Sequence, residues 1–535
     1  PGGDFEDYYW DKNGNLTAMV DAAGQTVNRA YDPLNRLEML TQPGEIKTQY
    51  AYDAHDNLTR VTDAEEHQTV YTFNDLGDRV AEDSPDSGLT VFTYDPAGNL
   101  VSKTDANQVT VTYAYDALNR LTGIDYPDEA QNVTYRYDEG KYGIGRLSAM
   151  IDDSGSYEYR YDADGNLAAE LRIIDGRLYT TEYQYEPTGI LTGITYPNGR
   201  QVNYELDEAG RVSRVTTTLG GETSVVADNL SYLPFGPLSG YDAGGTTRID
   251  KAYDTRYRLT GITAGALLDL DYEMDPVGNV TQINNGFDPD RNATYGYDDL
   301  YRLTSATGVY GTIGYTYDGV GNRLTKTQNG QTDTYQYLAG TNRLEQINGQ
   351  NPQSFTHDKA GNPISSGTKS LVYNQNNRLI RVSENNAVTG EYVYSAGGQR
   401  IKKTTADGSI IFHYDQAGNI IGESTPAGDF SAVYIYLGSQ RLAAVAATPL
   451  NEIGITVATS EGRLLEGLNV YAFTEAGAYT GHKAVTNAAG NAVFDPAGLT
   501  EGSYRFRADY LGDRFWSNPI SLPATVSADI VIDEA

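Results

Sequence analysis

The 535-residue chain contains no cysteine. That excludes disulfides, zinc–thiolate sites and a thiol nucleophile. Tryptophan (2), methionine (4) and histidine (5) are also scarce. No apolar run reaches the roughly 18 residues that a spanning helix needs, so no membrane span is expected. Positive charge is short as well: 39 Lys+Arg stand against 72 Asp+Glu, a net charge of −33. Nucleic acid and anionic membranes both demand a cationic footprint, so neither is an expected partner. Catalytic and ligand-holding patterns are missing too. There is no Gly-x-Ser-x-Gly elbow, phosphate loop, metal-binding His pair or EF-hand spacing. His55, His67, His357, His413 and His482 have no identifiable nucleophile beside them and read as chance substitutions at variable positions. No catalytic, cofactor-binding or metal-binding residue is expected.

What the chain does have is tyrosine, 44 copies against 12 Phe. A ring with a polar tip suits surfaces buried on one side and wet on the other. The tyrosines belong to a unit that recurs roughly every 21 residues, the mark of a repeat architecture. The unit is aromatic-x-Tyr-Asp, two variable residues, Gly-Asn or Asn-Arg, then Leu. Its defining pairs are Tyr31-Asp32, Tyr52-Asp53, Tyr94-Asp95, Tyr115-Asp116, Tyr161-Asp162, Tyr317-Asp318 and Tyr414-Asp415, with Asp275 on the same beat. Gly98, Gly165, Gly278 and Gly418 hold the turn's fourth position, and Arg120 follows the turn in the Asn-Arg version.

The local chemistry reads strand, tight turn, strand. Tyr157, Tyr159 and Tyr161 alternate, which places them on one strand face. Asp at the first turn position accepts local N–H bonds. Pro33, Pro96, Pro187 and Pro276 preset the second position for a type I turn. Gly or Asn at the fourth tolerates left-handed backbone. The arginines after the turns, Arg36 and Arg302 among them, read as a ladder between Tyr rings and turn carboxylates. The aspartates read as turn formers, not calcium ligands. Six Asn-x-Ser/Thr sequons occur, three of them turn residues that the repeat itself generates, and they are weak glycosylation signals. No helical periodicity is present. The fold class is therefore all-β, a very long antiparallel sheet of hairpins.

The repeat spans residues 1–445, with an irregular patch at 220–250 that contains Leu233–Leu238. A linker is expected at 446–450. From 451 to 535 the beat stops, and Ile453–Val457, Leu468–Phe473, Ala492–Phe494, Tyr504–Ala508 and Ile530–Ile532 read as strands of a small β-sandwich. The absence of a signal peptide and of an initiating Met suggests a piece of a longer protein.

The Tyr-Asp-x-x-Gly-Asn-Leu and Tyr-Asp-x-Leu-Asn-Arg-Leu units resemble the Rhs/YD-repeat family, which includes bacterial Rhs toxins, wall-associated proteins, Tc-toxin C components and teneurins. The resemblance implies a sheet that spirals into a hollow shell or tube. In toxin members it encloses a C-terminal effector; in teneurins it serves adhesion. The core signature that ends the repeats of toxin members is not found here, so no self-cleaving aspartate is carried over. The tail is similar to the carboxypeptidase regulatory-like (prealbumin-like) sandwich at Ser460-Glu461-Gly462, Gly467, Val470, Gly490, Phe494 and Tyr504, implying a spacer, docking or glycan-contacting module. The leading expectation is a non-catalytic, extracellular or cell-surface structural protein of bacterial origin that self-associates edge to edge. The alternative is the carrier shell of a toxin. The partners implied are further copies, other shell segments, a protein cargo or a surface glycan.

Overall fold

Strands that alternate Tyr with Thr, Arg or Gln present one face of rings and one of polar tips. Asp-led turns then fold each strand back on the next. The computed structural model describes residues 5–446, 453–459, 463–487, 489–494, 499, 502–511, 513–522 and 527–532. Forty-two strands, from Asp7–Trp10 to Gln440–Ala446, form one antiparallel sheet. Pairing runs from each strand to the next in sequence: Thr26–Tyr31 pairs with Leu37–Gln42, which pairs with Ile46–Tyr52, which pairs with Leu58–Thr62. The ladder slips just before the turn tyrosine, between Ala30 and Tyr31, Ala51 and Tyr52, Ala114 and Tyr115, and His413 and Tyr414. This bulge swings the Tyr-Asp pair into the turn. Helix among the described residues is confined to the single 3-10 turns Pro43–Glu45, Glu129–Gln131 and Pro289–Arg291.

The sheet is a strip with two edges. Tyr-Asp turns line one. The opposite edge carries other turns, several also led by aspartate: Asp21, Asp63 and Asp105 each close one by accepting the N–H three residues on. The chain divides into two compact units. In the first (1–153, 212–214 and 227–392), the strip returns alongside itself. The opposite edge of residues 21–131 meets the Tyr-Asp edge of residues 299–377, across sequence separations of 244 to 280.

In the second unit (154–211, 215–226 and 393–535), strand faces pack on each other. Ile174 and Tyr179 meet Ile401, Ile411, Phe412 and Tyr414 in one apolar cluster. The Tyr196 hydroxyl donates to the Tyr434 carbonyl (3.0 Å) and Tyr204 to that of Tyr436 (2.9 Å).

Beyond residue 453 two further sheets appear. Ile453–Thr459 pairs with Asn491–Phe494 and, in parallel, with Ser527–Ile532. The other sheet joins Tyr479–Val485, Asn469–Thr474, Gly502–Tyr510, Asp513–Trp516 and Ile520–Leu522. A single core fed by both sheets makes this a sandwich: Ile455, Val457 and Ile530 from one, Val470, Phe506 and Ala508 from the other.

The structure corrects several sequence readings. The Leu233–Leu238 patch is a turn with Leu233 in the aspartate's place: its N–H bonds the Pro237 carbonyl (3.1 Å), and its carbonyl accepts from Gly236 (3.0 Å). It stays irregular, since the left-handed residue is Phe235 (φ 53°), one place earlier than in the other turns. Without a carboxylate there was no motif to see. Tyr479–Val485, Asp513–Trp516 and Ile520–Leu522 are strands that sequence reasoning missed, because these short segments are interrupted by Gly or flanked by Pro and present few apolar residues. Most of the expected linker at 446–450, and Ser460-Glu461-Gly462, lie outside the described residues.

Phe506 is fully buried, with its ring centroid 5.1 Å from that of Phe494. Phe506→Ala should cost the sandwich about 3–5 kcal/mol. Urea titration followed by Trp516 fluorescence in a Trp10→Phe background checks this; an unchanged midpoint would contradict the packing.

Candidate functional site

The repeated device is a turn closed by one carboxylate. In the Asn-Arg version, Asp32 Oδ1 accepts the N–H groups of Leu34 (2.9 Å) and Arg36 (3.0 Å). Its Oδ2 accepts from Arg36 Nε (2.7 Å). In the Gly-Asn version, Asp95 Oδ1 accepts from Ala97 and Asn99 N–H, and Asn99 Nδ2 supplies Oδ2, each at 2.9 Å. Asp53, Asp162, Asp318 and Asp415 repeat the second pattern, as does Asp275. Asp116 repeats the first with Arg120. Hydrogen bonds from the residue four positions on hold Asp32, Asp53, Asp95, Asp116 and Asp162 below the usual carboxylate range. The fourth turn position is left-handed, with φ of 84° at Gly98, 91° at Gly165, 103° at Gly278 and 83° at Gly418, and 63° at Asn35.

The arginine then links repeats. Arg36 Nη1 reaches the Asp53 carbonyl (2.7 Å) and Asp56 Oδ1 (2.8 Å), and its guanidinium lies 4.8 Å from the Tyr52 ring centroid. Arg120 bridges Asp116 and Asp138 while covering Tyr137 at 4.5 Å. Beside that guanidinium the Asp138 carboxyl drops to about 2. Arg302 repeats the scheme with Asp298, the Asp318 carbonyl and the Tyr317 ring.

The tyrosine adds a tie that sequence reasoning missed. The Tyr31 hydroxyl donates to the Leu16 carbonyl (2.9 Å), Tyr52 to Leu37 (3.0 Å), Tyr94 to Arg79 (2.9 Å) and Tyr115 to Leu100 (3.0 Å). Tyr317 and Tyr414 do the same with Leu303 and Arg400. Each ring therefore straps its hairpin to the one before. The signal was available, since the acceptor is the residue that restarts the strand after the preceding turn. Tyr161 ends the Gly155–Tyr161 strand in the same position.

The seam in the first unit uses the opposite-edge carboxylates. Tyr301 donates its hydroxyl to Asp21, and Glu65 accepts the Gly319 N–H (2.9 Å). Asp86 accepts both the backbone N–H and Nδ2 of Asn342 (2.6 and 3.0 Å). Asn107 Nδ2 donates to Asp358 Oδ2 (3.0 Å). Within the seam Gly361 has no room for a side chain: a Cβ there would sit 2.1 Å from the Asp86 carbonyl oxygen.

His413 is buried in the second unit. Its ring is 2% exposed, packed 4.5 Å from Tyr179 and 4.7 Å from Phe430 by ring centroids, with Nε2 2.8 Å from Ser424 Oγ. Burial, with Arg172 nearby, pushes its pKa down to about 3. A serine–histidine pair sealed this way has no path to a substrate, so its role is packing. Among the described residues no cluster of three or more His, Cys, Asp or Glu side chains could hold a metal ion.

Family models match this pattern: the RHS Repeat at residues 10–45, 52–88, 94–131 and 185–222, and the Teneurin YD-shell at 241–419. The repeats are similar to those of the RHS and YD-shell families, each model matching part of the chain. Among curated proteins, the chain is 31% identical over 185 residues to toxin subunit YenC2 of Yersinia entomophaga, covering 30% of this chain and 19% of that protein. It is 30% identical over 144 residues to the tRNA nuclease WapA of Bacillus subtilis, covering 26% of this chain and 6% of WapA. The TcdB2–TccC3–Cdc42 crystal structure aligns over 95% of this chain and 29% of that one, with a TM-score of 0.66 at 18% identity. A Photorhabdus luminescens Tc holotoxin pore aligns over 97% of this chain and 29% of that one, with a TM-score of 0.66 at 19% identity. At such identities the likeness shows the fold alone. The chain spans less than a third of the length of each.

Tyr52→Phe removes one strap and leaves the Leu37 carbonyl without its donor. It should cost about 1 kcal/mol, read as faster amide exchange in the Leu37–Gln42 and Ile46–Tyr52 strands with an unchanged far-UV spectrum. His413 gives a pH test. Its folded pKa lies below the unfolded value, so its contribution is complete above about pH 6.5 and is lost as pH falls toward 3. Between pH 7 and 5 the second unit should lose on the order of 2 kcal/mol more in the native chain than in His413→Gln. Urea titrations at both pH values check it; parallel pH profiles would refute it.

Proposed function

We propose that this chain is a non-catalytic wall segment of an extracellular bacterial shell, the carrier part of a Tc-type toxin that encloses a protein cargo. One observation carries the reading. In the first unit, the opposite edge of one course seats on the Tyr-Asp edge of another, where Leu300 and Val320 at the turn tips are half-buried. The Tyr-Asp edge of residues 11–138 presents the same tips bare, with Leu34, Leu76 and Leu118 exposed at 64%, 82% and 71%. A rim of that kind is a seat for a further course of wall. The similar TcdB2–TccC3 structures, of which this chain spans under a third, support a shell assembled from more than this segment. On this reading residues 1–445 are wall, 446–450 a linker, and 451–535 an appended module of the carboxypeptidase regulatory-like type.

A second reading, self-association, draws on the Asp7–Trp10 strand. It pairs on one side with Leu16–Val20, and Tyr8, Tyr9 and Trp10 are 48–61% exposed. An open strand edge is a template for pairing.

The test is to co-express the chain with a Tc-type shell subunit, TcdB2, as the probe for a further course of wall. A closed particle that shields an internal fusion from protease is expected. Leu34→Glu, Leu76→Glu and Leu118→Glu together should abolish closure while leaving the strand-rich spectrum intact. Hydrolase activity in the purified chain, or closure unaffected by the three substitutions, overturns the proposal. Concentration-dependent light scattering that is kept in the triple variant and lost in Tyr9→Pro would favour the second reading.

A further inference from the structure

The outer face of the five-stranded sheet in the sandwich stands apart from the rest of the molecule in its chemistry. Cross-strand register places Lys483, Tyr471, Arg507 and Trp516 in one row, since Tyr471 pairs with both Lys483 and Arg507, and Arg507 with Trp516. A second row runs from Tyr479 through Phe473 to Arg505. Directly opposed residues share a face, and the other face is the buried core of Val470, Phe506 and Ala508. The rings form one continuous floor. Ring centroids lie 6.1 Å apart for Tyr471 and Tyr479, 5.3 Å for Phe473 and Tyr479, and 4.9 Å for Phe473 and Trp516. Tyr479 is 50% exposed and Trp516 41%.

Cations frame this floor. Arg507 lies 5.2 Å from the Tyr471 centroid and 5.1 Å from that of Phe473, and Arg505 lies 5.8 Å from Trp516. Arg514 occupies the outward position opposite Asp509. Among the described outward positions of these strands, the acid is Asp509, which engages Arg507 at 2.8 Å. Lys483, Arg505 and Arg514 have no carboxylate partner among the described residues. In a chain of net charge −33, this face is locally positive. Screening over about 8 Å at physiological salt lets such a patch act independently of distant charge.

We infer that this face binds an anionic polysaccharide, a chain of pyranose rings bearing carboxylate or sulfate groups. The apolar C–H faces of the sugars rest on the Tyr479–Phe473–Trp516 floor. Their charged substituents, projecting from the ring edges, meet Lys483, Arg505 and Arg514. Nucleobases stack on parallel platforms, and neighbouring rings here are inclined by 48–70°. The corrugated floor suits saccharides better. The inference is independent of the wall reading.

The test uses the full chain in native gels cast with dextran sulfate, polygalacturonate or uncharged dextran, and separately with oligo-dT as competitor. Retardation by one or both charged polysaccharides is expected, at least about tenfold stronger than by dextran and weakened by about 0.5 M salt. Retardation by one polymer alone identifies its group, sulfate or carboxylate, as the one recognised. Trp516→Ala, and separately Lys483→Ala with Arg505→Ala and Arg514→Ala, should each weaken retardation about tenfold or more. The charge variant carries the test if Trp516→Ala disturbs folding. Equal retardation by dextran, no retardation by any polymer, or a charge variant that binds as well as the native chain overturns the inference. So does binding of oligo-dT in place of the polysaccharides, or a face whose substitution abolishes only concentration-dependent self-association.

Discussion

In most hairpins of the repeat, one aspartate carboxylate organises the turn. Its two oxygens accept from two backbone N–H groups and from the Arg or Asn four residues on, so a turn that is fully solvated on its outer side still has a single geometry. Everything else in the repeat is positioned by that closure. It sets the bulge that carries the tyrosine inward, fixes the fourth residue in left-handed backbone, and aims the arginine at the next repeat. Leu233, which lacks the carboxylate, shows the limit: its turn still closes through backbone bonds, in the setting of neighbours that have theirs.

Tyrosine suits this design better than phenylalanine because the wall is thin. A single sheet has no second layer to bury rings deeply, and most turn tyrosines of the first unit are only half-buried. The hydroxyl turns that partial exposure to use by bonding the preceding hairpin, while the ring underlies an arginine. Stabilisation is thus spread over many modest ties between neighbours, as expected of repeat architectures. The second unit differs. Its strand faces meet, and fully buried Val202, Ile401 and Ile435 supply a conventional core.

The sequence disclosed the local structure well because each element has a short-range cause. Alternating rings fix the strands, and Asp with Gly or Asn fixes the turns; Tyr31-Asp32 through Leu37 can be read without reference to anything distant. The seam was illegible because its partners, such as Asp86 and Asn342, lie 256 residues apart and neither sits in an unusual local pattern. The burial of His413 was illegible for the same reason: its neighbour Tyr179 comes from a remote strand. In the tail, strands with few apolar residues, such as Tyr479–Val485, hid an outer face whose character emerges only across strands.

The separation between the two kinds of contact has a kinetic meaning. Strand pairing is between neighbours in sequence, so the entropic loss of loop closure at each step is small and constant. Hairpins can form one after another while the polypeptide is still being delivered, each templating the next. The long-range polar seam zips only once two distant stretches are both complete. A chain built in this order exposes one growing end at a time, which limits the chance of mispairing among forty-two similar strands.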